Sequence, residues 1–328
     1  MAASLDHLVA FHLRWTLFRR RSHRTDSAAL REVLDLIESR PRRLLEPPPP
    51  LATSGAPLTP GTPWRGADFF LFRLPSAHRF GAEVNHTIWG QMLVPRGRAL
   101  AGPAVLRVHP WIGPTGVGWL RRWGRGLLRR GIALVSVDLP HHARRTASGD
   151  WSGEHAFSGD LTAMVRAASQ GVSDLLRTCA WLRDLGVVPL GVMGYSMGGW
   201  GAAMLAAADP ALAFAVAAVP PADVVETLQR SCLAKGPIRR NFEASSVPPD
   251  LIQRTSRLLS PLQHPAVIAS DRLLVVSAQH DVVIPPSQSG ALADHWRCEH
   301  WREAHGHMSL FFSRRFGHRL AEWMAARL

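Results

Sequence analysis

The sequence predicts an α/β fold, a mostly parallel central sheet with helices on both faces and a small helical cap insertion. Three observations lead there. From about residue 88 onward, short apolar runs alternate with longer helical segments, the pattern of parallel strands joined by crossover helices. The 328 residues are 46% hydrophobic and 19% charged, which suffices for the core of one large domain with an extension and excludes disordered, collagenous and many-pass membrane chains. A glycine-flanked serine, Ser196, stands where one strand run turns into an alanine-rich helix.

The elements follow in order. Residues 1–46 form a helical N-terminal extension, in which Leu30, Val33, Leu34 and Ile37 recur at helical spacing before Pro41 ends the run. Residues 47–84 begin with four prolines, stay rich in Pro, Gly and Thr to Pro63, and read as a linker or surface wrap. The domain proper spans 85–328. Its strand runs are Thr87 to Val94, Ala104 to His109, Ile132 to Asp138, Leu190 to Tyr195, Ala213 to Val219, Arg272 to Ala278 and Cys298 to Glu303. Helical runs lie at Gly118 to Arg130, Leu161 to Leu185, Met197 to Ala208, Ser287 to Arg297 and Met308 to Arg327. The stretch of about 220–265 breaks the alternation with two Pro-Pro pairs and weakly amphipathic segments, as an inserted helical cap would.

Thirty-eight basic residues against 25 acidic leave a net charge of +13 and an isoelectric point near 11.4, which first suggests a polyanionic partner. Composition argues otherwise. Lys235 is the sole lysine, and the arginine clusters, such as Arg19 to Arg21, Arg121 and Arg122, and Arg144 and Arg145, are spread along the chain. No aromatic-interleaved basic stripe or nucleic-acid motif accompanies them, so a solvated face is read and no specific nucleic-acid partner. Cys179, Cys232 and Cys298 are odd in number, far apart and without CxxC spacing, indicating neither a disulfide framework nor a zinc site. The apolar stretch Leu8 to Phe18 is broken by His12 and Arg14, unlike a signal peptide. Gly201 to Val219, interrupted by Asp209 and Pro210, is too short and broken to span a bilayer. The expectation is a cytoplasmic protein whose basic, aromatic N-terminus makes at most a weak contact with an anionic membrane surface.

Gly194-Tyr195-Ser196-Met197-Gly198 is G-x-S-x-G with a strand run before it and a helical run after it. A nucleophile on such a sharp turn needs glycine two residues before and after, because the backbones crowd there. A serine hydroxyl is a weak nucleophile and needs a base within hydrogen-bond reach and an acid to orient that base. Asp281 falls just beyond the strand run Arg272 to Ala278, at the edge where open α/β sheets carry their sites. Asp271 precedes that run, at the wrong edge. Two histidines, His305 and His307, follow the last strand run, so the chain order is serine, acid, histidine. Met197 would donate one backbone N–H to an oxyanion.

These residues together resemble an α/β-hydrolase over roughly residues 85–328. The resemblance implies the base role for His307, in the pair Gly306-His307 before the last helix, with His305 in reserve. It also implies a second oxyanion donor in the loop His109-Pro110-Trp111-Ile112-Gly113, where proline replaces the usual glycine and has no N–H. The donor is therefore expected at Trp111, with His109 shaping the loop beside the substrate. A narrower likeness rests on Val137 to Arg145, Phe157 to Asp160, His78-Arg79-Phe80 and the elbow's Ser-Met-Gly-Gly, which are similar to the family of α/β-hydrolase domain-containing protein 18. It implies a serine hydrolase acting on a small-molecule or lipid acyl ester.

His141, His142 and Tyr195 are expected to touch substrate beside His109. Arg144 and Arg145 would either bind an anionic substrate group or pair with Glu154 or Asp160. No HxxxH or HExxH spacing organises the histidines into a metal site, and no dinucleotide or phosphate-loop fingerprint is present, so neither metal nor cofactor is expected. Acyl transfer or peptide cleavage on the same residues, and a non-catalytic binding scaffold, are the competing readings.

Overall fold

The computed structural model describes residues 2–16, 23–51, 58–64, 66–113, 115–116 and 124–328. Among them nine strands form one sheet: β1 (Thr59–Pro60), β2 (Ala67–Pro75), β3 (Thr87–Pro95), β4 (Ala104–Val108), β5 (Ala133–Val137), β6 (Leu190–Tyr195), β7 (Ala215–Ala218), β8 (Leu273–Ala278) and β9 (Glu299–Glu303). The spatial order is β1-β2-β3-β5-β4-β6-β7-β8-β9. Pairing is antiparallel from β1 through β3 to β5 and parallel from β5 to β9. Strands β4 to β8 are buried at every position, which is why they read as unbroken apolar runs.

One expectation is corrected. Ala67–Pro75, assigned by composition to a linker, pairs residue for residue with Thr87–Pro95. Phe72 and Leu74 are each 1% exposed. The run Phe69 to Phe72 has ordinary strand propensity, masked by the proline-rich stretch before it.

Helices cover both faces. They are α1 (Ala2–Thr16), α2 (Ser27–Glu38), α3 (Gly124–Arg129), α4 (Leu161–Asp184), α5 (Met197–Ala208), α6 (Val224–Arg230), α7 (Pro237–Ala244), α8 (Pro249–Leu259), α9 (Pro286–Trp296), α10 (His307–Phe312) and α11 (Arg314–Ala325). One core joins α2, α4, α5 and α9 to the sheet through side chains such as Leu34, Leu106, Leu175, Met204 and Leu292. The other joins α3 and α11 through Leu127, Met193, Val216, Leu320 and Trp323. In α2 the Asp26 carboxylate caps the N–H groups of Ala28 and Ala29 at 2.9 and 3.2 Å. Its buried stripe is Leu30, Val33, Leu34 and Ile37, each contributing roughly 1.5–3 kcal/mol by burial. The helix is thereby fastened against α4 and α8.

Helices α6 to α8 fill the connection between β7 and β8. Trp200 of α5 anchors them by donating its indole N–H to Leu259 O at 2.6 Å. Among the described residues no helix is long and apolar enough to cross a membrane. Arg19 to Arg21, and residues 118–123 of the helix expected at Gly118 to Arg130, lie outside the described residues.

Candidate active site

At the end of β6 the chain reverses through Ser196 into α5. Ser196 has φ 59° and ψ −123°, a strained backbone that costs about 1–3 kcal/mol and persists only where the surroundings enforce it. Here they do. Ser196 N donates to Ala218 O at 2.8 Å, and Trp200 N donates to Ser196 O at 3.0 Å. A Cβ on Gly194 would stand 1.8 Å from Gly198 O, and one on Gly198 would stand 2.1 Å from Val108 O. Backbone approaches backbone so closely that both positions require glycine.

The loops after β8 and β9 open at the same sheet edge, and they bring Asp281 and His307 to Ser196. His307 Nε2 lies 3.1 Å from Ser196 Oγ, and His307 Nδ1 lies 2.7 Å from Asp281 Oδ2. The other Asp281 oxygen, Oδ1, accepts the N–H groups of Val283 and Ile284, both at 2.8 Å. The carboxylate is thus fixed with one oxygen turned to the imidazole. All three residues are buried. Burial alone would lower the pKa of His307, but the charge and hydrogen bond of Asp281 and the charge of Asp6 outweigh it, so it sits above the ordinary 6.5. The reserve histidine, His305, lies instead beside Ser309 Oγ at 3.4 Å. Asp271 stands in the turn before β8, at the opposite edge.

The backbone of His307 is held from two sides. Tyr195 Oη donates to His307 O at 2.6 Å, and Asp6 accepts the N–H groups of His307 and Met308, both at 2.8 Å. Tyr195, expected at the substrate, is therefore placed elsewhere. It packs on Phe311 at 5.0 Å between ring centroids and does not line the cleft beside Ser196. Burial pushes its phenol well above 10. Asp6 was missed, because no local pattern marks a residue whose partner lies about 300 positions away.

The cleft beside Ser196 holds about 880 Å3 of empty space, its open mouth included. Met164 and Leu175 of α4, Phe157, Val224 of α6 and Leu233 give it apolar walls. Met197 and Trp111 line it as well. Met197 heads α5, where first-turn N–H groups have no acceptor inside the helix. The indole N–H of Trp111 donates to Gly153 O at 2.7 Å, which pins the loop beside the serine.

Of the four expected substrate contacts only His142 lines the cleft. Burial lowers its pKa to about 4. His109 is fully buried. Its Nδ1–H donates to Pro110 O at 2.8 Å and its Nε2 accepts Leu139 N–H at 3.0 Å, so as a neutral ring it fastens the loop after β4 to the loop after β5. His141, with φ 63°, turns toward Asn85 and His155 instead of the cleft, and burial lowers its pKa to about 3. Arg144 and Arg145 do not line the cleft either. Arg145 is fully buried, pairs with Asp174 Oδ2 at 2.8 Å and donates to Asn85 O and Asp138 O. Its partner is thus neither Glu154, which holds His23, nor Asp160, which caps α4. Arg144 lies over the Trp89 ring. Among the described residues no group of three or more His, Cys, Asp or Glu side chains could hold a metal ion.

Residues 157–321 match the model of the prolyl oligopeptidase family. An uncharacterized protein of Mycobacterium tuberculosis is 30% identical over 168 residues, 51% of this chain and 39% of that protein. The chain therefore spans about two fifths of the curated relatives it matches. The structure superposes on the acetyl xylan esterase from Paenibacillus sp. R4 with a TM-score of 0.64, covering 97% of this chain and 99% of that one at 17% identity. Acetyl xylan esterase 1 from Thermoanaerobacterium sp. JW/SL YS485 gives a TM-score of 0.61, covering 97% and 98% at 16% identity. At such identities the likeness concerns the fold. These matches support an α/β-hydrolase and do not show the narrower likeness to the α/β-hydrolase domain-containing protein 18 family. By the family model and the shared fold together, the chain belongs to the prolyl oligopeptidase family, within the α/β-hydrolase superfamily of serine hydrolases.

Proposed function

We propose that this chain hydrolyses carboxylic esters with an apolar acyl group, through an acyl-enzyme on Ser196. One observation carries the reading. The hydrogen-bonded series Ser196, His307, Asp281 opens onto a cleft whose walls are apolar. In this mechanism Ser196 Oγ attacks the ester carbonyl while His307 Nε2 takes its proton, and Asp281 holds the imidazolium that forms. The oxyanion accepts the backbone N–H of Met197 and of Trp111. His307 returns the proton to the leaving alcohol, and water then repeats the sequence to release the acid.

Helices α6 to α8 serve as the cap over the acyl group, on the body formed by the rest of the chain. A reducing, cytoplasmic setting suits Cys179, Cys232 and Cys298, all free thiols. The family match favours a second reading, cleavage of a peptide bond. Against it stands the scarcity of polar groups in the cleft to read a peptide backbone.

The test is hydrolysis of p-nitrophenyl esters from acetate to octanoate beside a peptide p-nitroanilide, by wild type and Ser196→Ala. Ester turnover that grows with acyl length and disappears in the variant is expected. Faster cleavage of the anilide would replace the ester reading with the peptidase one, and ester turnover that survives Ser196→Ala would overturn the mechanism.

A further inference from the structure

Helix α1 lies against α10 and the loops that carry the site. Its Asp6 is 0% exposed. The two carboxylate oxygens divide their work: Oδ2 accepts the N–H of His307 and Oδ1 the N–H of Met308, each at 2.8 Å. These are the first two N–H groups of α10, which the helix itself leaves without acceptors. One turn further along α1, Ala10 is also fully buried, in a cluster with Cys232, Val283 and Ile284. Val283 and Ile284 supply the N–H groups that orient Asp281, and their side chains line the cleft. Helix α1 therefore supports both members of the His307–Asp281 pair, His307 by hydrogen bonds to its backbone and Asp281 indirectly, by packing on the two residues that orient it. A buried carboxylate is costly unless its hydrogen bonds are made, and Asp6 makes them on the residue whose ring must point at Ser196.

We propose that Asp6 is a positioning residue of the hydrolase site, a two-oxygen acceptor that fixes the backbone of His307 and Met308 so that the imidazole lies between Ser196 Oγ and Asp281. This rests on the serine-hydrolase reading of the site. Four groups face His307: the Asp281 carboxylate after β8, the Ser196 hydroxyl after β6, the Tyr195 phenol on β6 and the Asp6 carboxylate from α1. Asp6 thus contributes a second negative charge beside the ring, which favours the imidazolium.

The experiment is the rate of labelling by a fluorophosphonate probe as a function of pH, in the full chain, for wild type, Asp6→Ala and Asp6→Asn, with Ser196→Ala as the blank. Asparagine keeps the size and one acceptor oxygen and removes the charge, so it serves as the milder variant if Asp6→Ala does not fold. In Asp6→Ala the maximal rate should fall about tenfold or more, because a small misplacement of a catalytic group has large kinetic cost. Asp6→Asn should lie between, and in both variants the acid limb should move to lower pH. The KM for a small ester should hold, since Asp6 does not line the cleft. A folded variant with the wild-type rate and the wild-type acid limb would overturn the proposal. So would a rate that falls only in step with thermal stability, with no movement of the acid limb. Failure of wild type itself to label at Ser196 is a separate outcome, which refutes the reading of the site on which the proposal depends.

Discussion

Substituting Gly171 by leucine tests the cleft as the acyl site. Gly171 is buried on α4 and lines the cleft. A Cβ there would meet Pro140 Cδ at 3.6 Å, an ordinary contact, so the first carbon of a new side chain fits without moving backbone and the rest is expected to take up cleft space. Leucine places four carbons in that space. A buried methylene is worth about 0.8 kcal/mol, so displacing four from an acyl chain costs roughly 3 kcal/mol, or about 200-fold in kcat/KM. Replacing a glycine inside a helix also gains about 0.8 kcal/mol, so the loss cannot be ascribed to unfolding and Tm should hold or rise. The assay is kcat/KM on p-nitrophenyl acetate, butyrate and octanoate. Wild type should gain about fourfold per methylene until the cleft is filled, and Gly171→Leu should lose octanoate while keeping acetate. Equal losses on acetate and octanoate, or a wild type indifferent to chain length, would refute the assignment.

Other consequences concern the histidine, the elbow and the buried network. Because the pKa of His307 is raised, kcat/KM should fall as pH drops through an inflection above 6.5, which a pH-rate profile reads directly. The stability contribution runs the other way: it is fully present below the unfolded-state pKa and is lost as pH rises through the folded one, as thermal melts across pH would register. Asp281→Asn should move that acid limb downward and lower kcat by about 10^4-fold in steady-state assays. Gly194→Ala places a methyl against Gly198 O with no flexible neighbour to yield, and should destabilise by more than about 4 kcal/mol in denaturant melts. Arg145→Met leaves the Asp174 charge buried without its partner and should cost about 3–5 kcal/mol by the same measurement.

How much was legible follows from how local each signal is. The glycines around Ser196, the strand run before Asp281 and the Gly-His pair at His307 are patterns within a few residues, so these three could be singled out before any geometry was known. The parallel strands were equally plain, since burial on both faces leaves nearly continuous apolar runs such as Leu273–Ala278. What escaped depends on contacts between distant segments. Asp6 acts on residues about 300 positions away, and Arg145 finds Asp174 through the packing of α4 and not through a neighbouring acid. His109 and Tyr195 were expected at the substrate because they adjoin the site in sequence. Neither lines the cleft: the His109 ring ties the loop after β4 to the loop after β5, and the Tyr195 ring packs behind His307 and holds its backbone. Strand β2 was hidden by the prolines before it, a reminder that composition averaged over a segment conceals a short aromatic run.

The central claim is that Ser196 is activated by His307. Incubating the folded wild-type protein with a fluorophosphonate and mapping the adduct by mass spectrometry tests it most directly. A single adduct on Ser196, absent from Ser196→Ala and His307→Ala, is expected. No adduct on folded wild type, or one on a different serine, would contradict it.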